Sequence, residues 1–89
     1  MNYSDEKELF LEWYRQRYSS DERATSAFHN IIRIRESGIS EEEILHGDER
    51  EICDRYFLSV DSGNKPSKSK TVHYRQALRL YRDYRGVTA

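Results

Sequence analysis

Three arginines recur at the spacing of one helix face near the end of this chain: Arg75, Arg79 and Arg82, at i, i+4 and i+7. Guanidinium groups so placed span roughly 10 Å along a helix. That distance suits two neighbouring phosphates of a nucleic-acid strand, or one side chain on base edges in a major groove. Arg85 extends the series, and Lys65, Lys68 and Lys70 precede it in a polar stretch with Ser67, Ser69 and Thr71, whose hydroxyls are neutral phosphate donors. These seven cations are the candidate nucleic-acid contacts.

Other chemistries lack the spacing they need. Cys53, His29, His46 and His73 form no CxxC or HxxxH pair, so no metal site is expected. Cys53 has no neighbouring histidine in sequence and no Gly-x-Ser-x-Gly elbow is present, which argues against a nucleophilic enzyme. The acids Glu41, Glu42 and Glu43 fall in the first turn of a predicted helix, where they complement its dipole rather than form an acid–base pair. No glycine-rich phosphate loop precedes a helix, and no cofactor is expected.

The overall charge of −1 hides a polarity. Residues 1–63 carry eight Lys/Arg against fifteen Asp/Glu, whereas residues 64–89 carry seven Lys/Arg and one acid, Asp83. The first part is therefore −7 and the tail +6. Such a division predicts either an interaction surface or a tail docked on the protein's own acidic body. A single cysteine excludes an internal disulfide and fits a reducing, cytoplasmic setting. No apolar run has the length of a membrane span, and the acidic opening Met1-Asn2-Tyr3-Ser4-Asp5-Glu6 does not resemble a signal peptide.

The elements that must position the cations are all helical. Strict alternation is absent, whereas apolar residues recur at helical period. The pattern predicts one all-α domain over 1–89, a compact bundle of four to five helices at about 5–18, 21–37, 41–46, 48–60 and 71–85, with a mobile polar loop at 61–70. Asp5 with Glu8 fits a capping box, as do Asp48 with Glu51 and Ser40 with Glu43; Ile39 and Ile44 add a hydrophobic staple around the last. The third and fourth helices can merge across a kink at Gly47. The first helix carries Leu9, Phe10, Leu11, Trp13, Tyr14 and Tyr18 around more than half its circumference, which predicts a central place. Arg17 falls in that apolar arc and must snorkel or find a carboxylate. The core stripes elsewhere are Ala24, Ala27, Phe28, Ile31 and Ile34; Ile52, Cys53, Tyr56, Phe57 and Val60; and Tyr74, Ala77, Leu78, Tyr81 and Tyr84.

This order resembles the SAM-like core-binding domain of tyrosine recombinases of the phage-integrase type. The resemblance rests on Phe10-Leu11-Glu12-Trp13, Ile39-Ser40-Glu41-Glu42-Glu43-Ile44, and Ser69-Lys70-Thr71 leading to Gln76-Ala77-Leu78-Arg79-Leu80-Tyr81. It implies a DNA-binding helical module, with Lys70, Arg75, Arg79 and Arg82 inheriting the grip on the duplex. The family's cutting residues are absent, since His73-Tyr74-Arg75 does not match its His-x-x-Arg spacing. The resemblance thus implies binding to double-stranded DNA without recombination. A protein-interaction module, an adaptor, inhibitor or self-associating domain of phage or mobile-element type, is the alternative. Leu11, Tyr14, Tyr18 and Leu58 would supply its contact patch.

Overall fold

A computed structural model describes residues 3–18, 22–60 and 68–87. Five helices follow one another: α1 (Tyr3–Arg15), α2 (Glu22–Glu36), α3 (Glu41–His46), α4 (Glu49–Val60) and α5 (Lys68–Tyr84). No strand occurs among the described residues, so the all-α bundle is the architecture of this chain.

The predicted boundaries shift in ways the backbone explains. α1 starts at Tyr3, which puts Asp5 inside the first turn rather than at the cap. There its charge still favours the helix dipole. The helix stops at Arg15, and a tightened turn follows in which the amides of Arg17 and Tyr18 both donate to the Tyr14 carbonyl, at 3.0 and 2.9 Å. Helix α5 begins three residues earlier than its expected start, so Ser69 and Thr71 lie within its first turn instead of capping it. The expected loop therefore loses 68–70 to α5, and its remainder, 61–67 with Lys65, lies outside the described residues.

The Ser40 box forms in full: the Glu43 amide donates to Ser40 Oγ at 3.2 Å, and the Ser40 amide donates to Glu43 Oε2 at 3.4 Å. Ile39 and Ile44 are both buried beside it, as a staple requires. Asp48 caps α4 by accepting the Glu51 amide at 3.0 Å. The third and fourth helices stay separate because Gly47 is extended between them (φ −75°, ψ 172°). A Cβ at Gly47 would lie 2.7 Å from the Glu43 carbonyl oxygen, so glycine is needed here for a close approach. Gly38 serves a different purpose, ending α2 in the left-handed region at φ 103°.

The core is organised around α5 rather than α1. α5 packs most extensively on α2 and also touches α1, α3 and α4. Its stripe of Tyr74, Ala77, Leu78 and Tyr81 is buried against Phe28, Ile31 and Ile34 of α2 and Ile44 of α3. The two alanines of α2, Ala24 and Ala27, are buried as well and let the helices approach. α1 contributes Phe10, Leu11 and Tyr14 from one side. The Phe10 ring lies 5.5 Å from Phe28 and 5.1 Å from Tyr84, edge to face with the latter.

The expected central place for α1 is thus incorrect. Part of its wide apolar arc lies at the surface: Leu9, and Tyr18 just past the helix end, are 43% and 47% exposed. Arg17 resolves its own conflict by stacking over the Trp13 ring, 5.0 Å from the centroid. The proposed contact patch also divides. Leu11 and Tyr14 are core residues, whereas Tyr18 and Leu58 are exposed.

Candidate anion-binding groove

The arginine face of α5 is paired with the protein's own groups, although the Arg79 side chain stays 61% exposed. Arg75 Nε donates to Glu49 Oε2 at 3.4 Å, and Arg79 Nε donates to both Glu49 oxygens at 3.0 and 3.1 Å. Burial of the Glu49 carboxyl works against its charge, yet the two guanidinium groups outweigh it and hold its pKa below the usual carboxylate value. Arg82 turns to main chain: Nε donates to the Ile44 carbonyl at 2.8 Å and Nη2 to the Gly47 carbonyl at 2.6 Å. Those carbonyls end α3 and would otherwise lack donors. Arg85 Nη1 donates to Glu41 Oε1 at 2.7 Å and to the Tyr81 hydroxyl at 2.9 Å.

Arg85 belongs to a larger cluster that joins four elements. Arg35 of α2 donates to both oxygens of Glu6 on α1, at 2.9 and 2.7 Å, and through Nε to Glu41 Oε2 of α3 at 3.0 Å. The Tyr81 hydroxyl of α5 accepts from Arg35 and donates to Glu41. Hydrogen bonding from Arg35 holds the Glu6 carboxyl below its ordinary pKa. Burial, and then the bond to Glu41, push the Tyr81 phenol up to about 12. The cluster has the charge balance of a structural lock: two carboxylates face two guanidiniums around one neutral phenol.

Of the predicted contacts, Arg75, Arg79, Arg82 and Arg85 are therefore engaged with the protein's own groups in these bonds. Lys65 lies outside the described residues, Lys68 opens α5, and Lys70 lies on a different surface.

That surface is a groove along α2 and α5. Its upper part is a cleft of about 450 Å³ between α2, α4 and α5, lined by Ser26, His29, Asn30, Arg33, Tyr56, Phe57, Lys70, His73 and Tyr74. Its lower part, about 710 Å³, runs toward the end of α1 and is lined by Tyr14, Tyr18, Glu22, Arg23, Ala27, Val72, Gln76, Ala77 and Leu80. Ser26, Asn30 and His73 line both, so the two adjoin. Three formal cations line this groove, Arg23, Arg33 and Lys70, with two histidines, against one acid, Glu22. In a chain of net charge −1 that is a local reversal of sign.

Of the expected nucleic-acid contacts Lys70 lines this groove, and of the expected protein-contact patch Tyr14 and Tyr18 do. The signal for the rest was present: Arg23, Ser26, Asn30 and Arg33 recur at i, i+3, i+7 and i+10 on α2, the polar face beside its buried stripe. The denser cations of the tail outweighed it.

Elsewhere the structure offers little chemistry. Cys53 is fully buried, and burial pushes its thiol up to about 11, so it is unreactive packing. Among the described residues no group of three His, Cys, Asp or Glu is placed to hold a metal ion, and no helix is long and apolar enough to cross a membrane. Comparison with known protein families, characterised proteins and solved structures gives no match for this chain.

Proposed function

We propose that this chain is a non-catalytic module that holds double-stranded DNA by its phosphates along the α2–α5 groove. The observation that carries this reading is the placing of Arg23, Arg33 and Lys70 along two adjoining clefts of an otherwise acidic molecule. Arg23 and Arg33 are ten residues apart on one helix, a rise of about 15 Å, which runs beside several phosphates of one strand. Asn30, Ser26 and Gln76 add neutral donors between the charges. The acids on the remaining surface repel a duplex and so orient the module on it. The resemblance to the core-binding domain of tyrosine recombinases supports the same reading, with the contact moved from the arginine face of α5 to the groove beside it.

The test is the binding of a labelled duplex as a function of salt. Arg23→Gln, Arg33→Gln and Lys70→Gln together should abolish binding, whereas Arg75→Ala with Arg79→Ala should weaken it little. Loss of binding in the second variant with retention in the first would return the contact to the α5 arginine face.

A second reading is favoured by a specific feature of the same groove. Tyr18 and Val72, each 47% exposed, line its lower half with Leu80. Such an apolar strip fits a protein partner or a second copy. Sedimentation of the protein and of a Tyr18→Ala, Val72→Ser variant tests it, a monomer in both cases counting against self-association.

A further inference from the structure

Tyr56 of α4 and Tyr74 of α5 are 6% and 8% exposed, and their hydroxyl oxygens lie 3.3 Å apart. Their rings pack 4.9 Å apart, and Phe57 meets both edge to face. Two phenols carry two O–H protons, but the bond between them uses one. Neither hydroxyl makes another hydrogen bond among the described residues. Whichever oxygen donates, its partner holds a proton aimed elsewhere. Both tyrosines line the upper cleft, together with Arg33, Lys70, His29 and His73.

We infer that this cleft is a seat for a phosphate group, in which the spare Tyr56/Tyr74 proton donates to a phosphate oxygen while Arg33 and Lys70 neutralise its charge. The buried pair supplies what surface cations lack, a donor already desolvated and fixed by packing. Such a donor bonds an oxyanion at little ordering cost. Burial, and then hydrogen bonding with Tyr74, push the Tyr56 phenol up to about 12, so Tyr56 keeps its proton at neutral pH. The cleft, about 450 Å³, admits a phosphate with the first atoms of whatever carries it. The inference deepens the groove reading and rests on it for the source of the phosphate, either a DNA strand or a small phosphate ester.

The pair also predicts an unusual mutational pattern. Removing one hydroxyl leaves the other with its own proton, freed from its neighbour and able to donate to the ligand. Removing both leaves none.

The experiment is a titration of the whole chain with inorganic phosphate at constant ionic strength, followed by amide and aromatic NMR shifts. It is repeated with a duplex bearing a 5′-terminal phosphate and with the same duplex ending in hydroxyls. Tyr56→Phe and Tyr74→Phe should each cost less than about threefold in phosphate affinity, and the double variant at least about tenfold. Arg33→Gln, on the exposed rim, should weaken phosphate independently of the aromatic packing. Shifts confined to Arg33, Tyr56, Tyr74, Lys70 and His73 would support the seat. A wild type silent to millimolar phosphate, or a folded double variant that binds as the wild type does, overturns it. Phosphate binding without binding of either duplex keeps the seat and removes DNA as its source. Duplex binding unaffected by the double substitution keeps the groove and removes the seat.

Discussion

Arg82 closes the C-terminal end of α3 by donating Nε–H to the carbonyl oxygen of Ile44 at 2.8 Å. A second bond, from Nη2 to the Gly47 carbonyl, uses the other side of the same guanidinium. A short helix of six residues is thereby tied to the longest helix of the bundle. One residue of the basic stripe is thus a helix cap supplied from another element.

Arg82→Ala should lower unfolding stability by about 1.5–3 kcal/mol, the range for lost hydrogen bonds from a charged donor, here to part-buried carbonyls. Arg82→Lys should recover only part of that, because an ammonium cannot present two donors in a fixed fork. Urea denaturation with an unchanged m-value measures both.

Gly47→Ala should destabilise by about 1–3 kcal/mol, since its Cβ would press on the Glu43 main chain rather than on a yielding side-chain tip. Gly38 differs: a Cβ there meets nothing within 4 Å, and the cost of alanine, about 1 kcal/mol, comes from the left-handed φ alone. Thermal melts of the two variants should rank them in that order.

Acid should unlock the cluster. The folded-state pKa of Glu6 lies below its ordinary 4.5, and that of Glu49 is also lowered. Each carboxylate therefore contributes stability that is present above about pH 4.5 and disappears as the pH falls through the folded value. Melting temperature should drop below pH 4.5, and Glu6→Gln should flatten that slope while lowering stability at pH 7. A melting temperature indifferent to pH between 6 and 3 would contradict the pairing, here as in the Glu49 arm.

The alkaline limb has the opposite sign. Tyr81 and Tyr56 are raised from 10.0 to about 12 in the folded state. Their contribution is complete below pH 10 and is lost as the pH rises toward 12. Absorbance titration of tyrosinate against unfolding should show the two phenols ionising together with loss of helix. Tyr81→Phe should remove part of the alkaline slope.

What the sequence made legible follows from what each residue needs. The Ser40–Glu43 box with its Ile39–Ile44 staple is local chemistry, and it forms at the predicted residues. The core stripes of α2 and α5 are periodic, and they are buried as read. The place of α1 was not legible, because an arc of Leu9, Trp13 and Tyr18 looks the same whether it is covered or only stacked at the surface. The direction of the arginine face was equally hidden. Its partner Glu49 lies thirty residues before Arg79, and only the packing of α4 on α5 brings them within 3.0 Å. The groove needed two helices to exist at all: Arg33 and Lys70 share it through the docking of α2 on α5, a contact no local pattern announces.

The most direct measurement is the salt dependence of duplex binding by the wild type and by the Arg23→Gln, Arg33→Gln, Lys70→Gln variant. If the groove holds phosphates, the wild type binds at low salt with log K falling linearly against log salt. The variant then loses binding, or its slope is shallower by about three, one per cation removed. A wild type that fails to bind duplex DNA at low salt, or a variant with the same affinity and slope, would contradict the account.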